Sequence, residues 1–593
     1  MKKKLVMLFG AIILAFVFLI GWITVINATK GEKYTKVVLD QQQYNNHTIP
    51  FKRGDIIDRN GTKLATSERV YNVIIDAEIL TSKKKYMNPT LNALKKCFNL
   101  KKNTVRKQVK KNPNSRYLIV KTGVSYEDAQ KFTKISEDTE KHPNVQGVWL
   151  EEDYERKYPY NTLASDVIGF TTNGNVGSNG IEASYNSSLN GTNGREYGYV
   201  DENSGFERTV KEPANGSTVV STIDLQVQSI VEQHILAFNE EHKDEETEGE
   251  GSKSTGVIVM NPQNGEIYAM VNVPEYDLND PFSLSAKKRK ANSKKQQEYL
   301  NKKWRNSCLN DTYEPGSVFK IVTATAGLES SKVSVNDHFN CPGFRIVEDR
   351  KIRCHKVGGH GSETFKEGVM NSCNPVFMDV GARVGVDGMY QTFRQLGLFE
   401  KTGIDLPGEA SSIMHQKKNV GAVELATMSF GQSIQITPLQ LLRAVSAVIN
   451  GGKLITPHFG RYVQKQDGTR SKVFSYPVKE GVIKKQTSET MKELLEAVVS
   501  DGSGRNCRMD GFSIGGKTAT SEKLPRGNGK YISSFLGFAK ADNPAIIGIV
   551  LIDEPHGTYY GGTIAAPVMR SVFQTALPYM GIYKEYTPDK KEP

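Results

Sequence analysis

The sequence is poor in cysteine, with six in 593 residues. That excludes a disulfide scaffold, which needs a far denser set. It has no second long apolar run. After residue 26 nothing is long enough to cross a bilayer, so a multi-span transporter or channel is excluded. It shows no repeat at a period of about 20–50 residues, which argues against solenoids and propellers. It lacks an acidic excess: 77 Lys and Arg face 65 Asp and Glu, a net charge of +12. Such a balance suits an anionic surface, whether nucleic acid, lipid headgroups or an acidic wall polymer, and does not choose among them. Disorder of the whole chain is excluded by 25 Tyr and 24 Phe. At roughly 150 residues per domain the length allows about four domain-sized units.

The N-terminus sets the compartment. Lys2, Lys3 and Lys4 precede an uncharged stretch from Leu5 to Ile26. At about 1.5 Å per residue this stretch spans about 33 Å, enough for a hydrocarbon core of about 30 Å. It exceeds the usual apolar region of a cleavable signal, and Asn27-Ala28-Thr29-Lys30 offers no clean small-residue cleavage site. A long cleaved signal is the alternative. The lysine triplet favours a cytoplasmic start, although Lys30, Lys33 and Lys36 beyond the span oppose it. The expectation is a cytoplasmic tail over 1–4, a single-pass membrane anchor over 5–26 and an extracytoplasmic remainder.

The rest divides by composition. Residues 27–215 alternate short strand-like runs (Val70 to Ile75, Tyr117 to Val120) with a basic helical stretch from Asn92 to Lys111. This reads as an extended α+β module. A shift follows at Glu212-Pro213-Ala214-Asn215-Gly216. From 216 to 593 the pattern predicts a helix over Leu225 to Phe238 and a hairpin turning at Asn264-Gly265. Late strands over Ser533 to Ala539 and Ala545 to Ile552 precede a helix over Thr563 to Ala576. Helices packed on a mostly antiparallel sheet make the class α+β. Lys243 to Ser254 reads as a polar loop. Lys287 to Lys303 is a basic run whose ordinary meaning is a solvated face, and nucleic acid is not an expected partner.

The chemistry concentrates at Tyr313-Glu314-Pro315-Gly316-Ser317-Val318-Phe319-Lys320. After the Pro-Gly turn the pattern is helical, so Ser317 falls in a first turn with Lys320 one turn later on the same face. A helix start offers oriented N–H groups to an oxyanion, and a nearby amine can take the hydroxyl proton. Alone, S-x-x-K also describes a capping serine and a surface lysine. Two partners change that. Ser372-Cys373-Asn374 adds a hydroxyl and a carboxamide before Pro375. Ser513-Ile514-Gly515-Gly516-Lys517-Thr518-Ala519-Thr520 reads as a strand edge, where small residues let a substrate backbone lie close. Lys517, Thr518 and Thr520 there suit a carboxylate. The literal Lys401-Thr402-Gly403 comes too soon and runs into loop residues, so Lys517-Thr518-Ala519 is taken as the third motif.

S-x-x-K, S-x-N and K-T-x in this order form the signature of penicillin-recognising serine enzymes. The chain resembles class B penicillin-binding proteins over nearly its whole length. Arg53-Gly54-Asp55-Ile56-Ile57-Asp58-Arg59-Asn60-Gly61, Arg156-Lys157-Tyr158-Pro159 and Gly177-Ser178-Asn179-Gly180-Ile181-Glu182 match the family's pedestal motifs. Gly431 to Pro438 and Tyr559-Tyr560-Gly561-Gly562 look like its transpeptidase core. Ala519 departs by one methyl from the usual glycine. The roughly 190 residues before the catalytic module leave no room for a glycosyltransferase domain, which argues against class A.

The resemblance implies D,D-transpeptidation of peptidoglycan stem peptides and acylation by β-lactams. Ser317 would be the nucleophile and Lys320 the base, with Ser372, Asn374 and Lys517 assisting and Gly516, Thr518 and Thr520 binding substrate. The oxyanion hole would be the N–H groups of Ser317 and Thr520. A polytopic glycan polymerase is the implied partner through anchor and pedestal, and the chemistry requires no cofactor. Two rival readings fit the same motifs: a β-lactam hydrolase or D,D-carboxypeptidase on the same fold, and a sensor or scaffold that no longer turns over.

Cys341, Cys354, His355, His360 and Cys373 fall close together. Thiolates and imidazole in fours suit tetrahedral zinc. His355 adjoins Cys354 and points elsewhere, so the candidate structural zinc set is Cys341, Cys354, His360 and Cys373. Free thiols and a Cys341–Cys354 disulfide stay open. Such a zinc would brace the loop carrying Ser372 and Asn374.

Overall fold

A computed structural model describes residues 7–26, 47–172, 175–201, 204–243 and 251–584. Lys2, Lys3, Lys4 and the expected tail over 1–4 lie outside these residues, as do 244–250 of the expected polar loop. Met7–Ile26 forms one continuous helix of 20 residues, exposed throughout and apolar enough to cross a membrane. The chain divides into two compact units. One comprises 1–54, 67–155 and 190–216; the other comprises 55–66, 156–189 and 217–593.

In the first unit the later part of the long strand Lys63–Ile75 pairs antiparallel with Leu118–Val124, with Tyr71 opposite Val124 and Ile75 opposite Leu118. The basic stretch expected to be helical forms two helices, Lys84–Phe98 and Lys102–Lys111. Asn99, in the left-handed conformation, ends the first of them, a conformation asparagine tolerates better than most residues. Helix Tyr126–Glu137 is capped by Ser125, whose hydroxyl accepts from Asp128 N–H. Their apolar faces, including Leu91, Leu94, Phe98, Val105, Val109 and Phe132, close on Val73 and Ile75 of the sheet.

The second unit is built on five antiparallel strands: β1 (Ser252–Met260), β2 (Ile267–Val273), β3 (Ile514–Glu522), β4 (Tyr531–Ala539) and β5 (Ile546–Pro555). Their order is β2-β1-β5-β4-β3, which leaves β3 at an edge. Alternate residues point to opposite faces and both faces are covered, so residues 257–260 of β1 and 546–552 of β5 run almost continuously apolar. Val257, Val259, Val550 and Ile552 face helices α1 (Leu225–Glu241) and α6 (Gly561–Tyr579). Ile258, Met260, Ile549 and Leu551 face the opposite layer. That layer holds α2 (Lys320–Glu329), α3 (Asn374–Gln395), α4 (Pro438–Ile449) and α5 (Lys485–Ser500). Both faces are thus covered by helices, the α+β arrangement expected.

Two of the segments matched above as pedestal motifs meet inside this second unit. Arg156 Nε donates to Glu182 Oε1 at 2.7 Å with both side chains buried, and Tyr158 OH donates to the same oxygen at 3.3 Å. Removing one partner of such a buried pair typically costs about 3–5 kcal/mol, because the other charge is stranded. The Asp58 turn is closed by its carboxylate, which accepts from Asn60 and Thr62 N–H.

Candidate active site

Ser317 sits in a short 3-10 turn, Gly316–Phe319, which runs directly into α2 with Lys320 as its first residue. Gly316 has φ +54, and a Cβ built there would lie 2.3 Å from Ser521 Oγ. Glycine therefore suits the turn that carries Ser317, where a side chain would be strained and would have to displace Ser521 on β3. Gly316 N–H donates to Gly431 O at 2.9 Å, which ties the Gly431–Pro438 segment to the same turn.

Lys320 is 1% exposed. Its Nζ donates to Ser372 O at 2.6 Å, Ser372 Oγ at 3.3 Å and Asn374 Oδ1 at 2.7 Å. Burial brings its ammonium down to about 8, although the neighbouring thiols of Cys354, Cys373 and Cys341 and the carboxylate of Glu363 pull the other way. Ser372 has φ +54, a conformation uncommon for residues other than glycine and sustained only when surroundings over-determine it. Those surroundings are visible: Ser372 N–H reaches Val369 O, Cys373 N–H reaches Gly368 O, and Asn374 opens α3 with Pro375 behind it. Asn374 Nδ2 donates to Arg353 O at 3.1 Å. The first two motifs are thus joined through one buried amine. Ser317 Oγ makes no hydrogen bond among the described residues.

Lys517 is also 1% exposed. Its ammonium is pushed down by burial and by the charge of Lys320, which places the two amines within one electrostatic neighbourhood. Thr518 and Thr520 occupy the other face of β3. Thr518 Oγ1 lies 3.5 Å from Ser503 Oγ, and Thr520 Oγ1 accepts from Gly561 N–H at 2.9 Å at the start of α6. The Thr520 hydroxyl proton remains free to donate. The glycines have a packing reason that the sequence could not supply. A Cβ on Gly515 would lie 2.3 Å from the Phe538 ring, and one on Gly516 2.6 Å from the Phe535 ring. Lys401-Thr402-Gly403 is loop, with Thr402 buried and its N–H held by Glu409.

The fold also gathers the cysteines. Ligand atoms of Cys341, Cys354, His360 and Cys373 all lie within 4.8 Å of one another. Sulfurs bound to one zinc at about 2.3 Å stand about 3.8 Å apart, so three thiols and an imidazole at this spacing fit the tetrahedral ion. All six cysteines are free thiols. Hydrogen bonds from Cys373 and His355 push the Cys354 thiol down. Contrary to the expectation drawn from adjacency, His355 does not point elsewhere: its Nδ1 lies 3.8 Å from Cys354 Sγ. The antiparallel strands His338–Cys341 and Gly361–Thr364 bring Cys341 opposite Gly361, next to His360. Sequence reasoning missed Glu363. Its side chain is 3% exposed, with Oε1 3.8 Å from His360 Nδ1 and Oε2 accepting from Asn371 at 3.0 Å. Its three-residue spacing from His360 was the available signal.

Comparison with known proteins places this arrangement. Residues 255–574 match the penicillin binding protein transpeptidase domain, and residues 48–221 match the penicillin-binding protein dimerisation domain. The chain is similar to stage V sporulation protein D of Bacillus subtilis, at 34% identity covering 98% of this chain and 86% of that one. It is similar to peptidoglycan D,D-transpeptidase FtsI of Escherichia coli at 26% identity, covering 99% and 94%. Among solved structures, penicillin binding protein 3 of Mycobacterium tuberculosis complexed with aztreonam shares the fold, with a TM-score of 0.65 at 22% identity, covering 91% of this chain and 98% of that one. A domain match over more than half the chain, together with a relative 34% identical over nearly all of it, settles the family: the chain belongs to the class B penicillin-binding proteins, the peptidoglycan D,D-transpeptidases that work through a serine acyl-enzyme and are acylated by β-lactams.

Proposed function

We propose that Ser317 is the acylated serine. The observation that carries this reading is the Lys320 amine, buried one turn after Ser317 and bonded to both Ser372 and Asn374. Ser317 Oγ attacks the carbonyl carbon of the penultimate D-Ala of a stem peptide while Lys320, neutral, takes its proton. The N–H groups of Ser317 and Thr520 receive the oxyanion. Collapse breaks the C–N bond, and the proton returns through Lys320 and Ser372 to the departing D-Ala nitrogen, with Lys517 polarising that path. An amine from a neighbouring stem then attacks the ester and releases Ser317. Thr518, Thr520 and the β3 backbone at Gly516 hold the substrate's terminal carboxylate and chain.

The same reading makes 5–26 the membrane anchor, with the bulk of the chain extracytoplasmic. It makes 27–215 the pedestal toward a polytopic glycan polymerase and 216–593 the transpeptidase domain. The test is the lifetime of the penicillin adduct, followed by intact mass and mapped by peptide digestion. Expected is an adduct on the Ser317 peptide that persists for many minutes after free drug is removed. Release within seconds would replace transpeptidation by hydrolysis, since it requires a base that activates water.

Cys341, Cys354, His360 and Cys373 are assigned a structural zinc. Bound there, the ion would hold Cys373 in place and with it the flanking Ser372 and Asn374. The ion takes no step in acyl transfer. Elemental analysis of protein purified without chelator should find about one zinc per chain, and stripping it should lower the melting temperature. Protein without metal and with every thiol freely titratable would overturn the assignment.

A further inference from the structure

Beyond β3 the chain turns through residues 523–530 and returns as β4. The base of this turn is anchored within its own sheet: Lys523 Nζ donates to Asp553 and Glu554 of β5 at 2.6 Å, and Lys530 Nζ to Glu554 at 2.7 Å. Its tip behaves differently. Arg526 Nη1 donates to Glu522 O at 2.6 Å, while Nη2 crosses to Glu314 Oε2. Gly527 N–H, beside it, donates to Glu522 Oε1 at 2.6 Å. Among the described residues, Arg526 supplies the turn's one side-chain hydrogen bond to the segment leading into Ser317.

Glu314 is three residues before Ser317, and its side chain is only 8% exposed. Its other oxygen accepts from Ser433 N–H at 2.8 Å, and Ser433 has φ +60. One carboxylate therefore fastens three pieces of chain around the nucleophile: the Pro315-Gly316 turn, the Gly431–Pro438 segment and the turn after β3. Ser433 N–H and Glu314 belong to two loop segments already joined at Gly316 N–H and Gly431 O. Only the Arg526 bond reaches across to the sheet edge. Where β3 touches the nucleophile's turn, at Ser521 against Gly316, the contact is packing, with no hydrogen bond among the described residues, and lacks the directional hold of the ion pair.

We infer that Arg526 is a positioning residue for acylation: its ion pair with Glu314 keeps the edge of β3 from drawing away from Ser317. The inference rests on the reading of Ser317 as the nucleophile. Oxyanion donors on two elements, Ser317 and Thr520, must converge on one atom, and a misplacement of about 1 Å can cost on the order of a hundredfold in rate. Loosening the pair therefore slows the chemical step. It does not empty the cleft, because the carboxylate-binding face of β3 is retained.

The test is acylation of the full chain by a penicillin, resolved into the initial dissociation constant and the first-order acylation rate. For Arg526→Ala the acylation rate is expected to fall about tenfold, the dissociation constant to stay within about twofold and the melting temperature to stay near that of wild type. Glu314→Gln, which keeps an acceptor for Ser433 N–H but loses the charge, should fall by a similar factor. The double variant should be no slower than the worse single. Arg526→Lys should recover part of the rate; it also carries the test if Arg526→Ala does not fold. A wild-type acylation rate in Arg526→Ala, losses that multiply in the double variant, or a loss confined to the dissociation constant would overturn the inference. An adduct mapping away from Ser317 in the wild type would instead overturn the nucleophile assignment.

Discussion

Replacing Ser317 by Ala abolishes the covalent penicillin adduct while leaving the fold intact. The expected intact-mass spectrum shows the drug added to wild type and only the bare chain for S317A. The effect is all or none because no other hydroxyl combines the features of this one. Ser317 lies at the turn entering α2, and among the described residues its hydroxyl makes no hydrogen bond, so its lone pairs are available. Ser372, the nearest rival, already accepts from the buried Lys320 ammonium. Deleting the Ser317 hydroxyl removes no hydrogen bond, so the melting temperature should change by no more than a degree or two. An adduct surviving in S317A would move the nucleophile elsewhere, with Ser372 the first place to look.

What the sequence could reveal followed the range over which its signals act. Ser317 and Lys320 were legible because a helical repeat places them together within four residues. The strands of the β1–β2 hairpin were legible because Asn264-Gly265 fixes the turn, where Gly265 has φ +87. Lys517 could be preferred over Lys401 because a strand edge and a loop differ in local pattern. The cysteine set was legible in its clustering along the chain, and the fold gathers those four ligands within 4.8 Å, but adjacency did not send His355 away from Cys354, whose Sγ lies 3.8 Å from His355 Nδ1. Contacts between distant segments left no local trace. Nothing near Gly515 and Gly516 announces that Phe538 and Phe535 lie over them, so their smallness suggested room for substrate. The alternation that sends Lys517 one way and Thr518 and Thr520 the other is readable, but which face meets Ser317 is not. Nor does composition disclose that 55–66 and 156–189 pack with the second compact unit. Glu314 and Arg526 are 212 residues apart, and each alone reads as an ordinary surface charge.

Lys320 is the second residue whose removal should nearly silence the enzyme, and the choice of replacement separates two roles it could play. As a tether, its ammonium satisfies Ser372 and Asn374; as a base, its neutral form accepts the Ser317 proton. Alanine removes both functions, and acylation is expected to fall by about a thousandfold, within the range usual for losing a general base. Arginine keeps positive charge and donors but cannot deprotonate in a protein. If proton transfer is what matters, K320R should acylate no faster than K320A even where its melting temperature returns toward wild type. A K320R enzyme with wild-type kinetics would make Lys320 a tether and require another base. The pH profile gives an independent reading. Burial lowers the Lys320 ammonium to about 8, so the neutral base accumulates as pH rises through that value. The wild-type acylation rate should therefore climb from pH 6 to about 9 and then level, and the residual rate of K320A should lack that rise. A flat wild-type profile over the same range would mean that the amine donating to Ser372 and Asn374 never gives up its proton in the rate-limiting step.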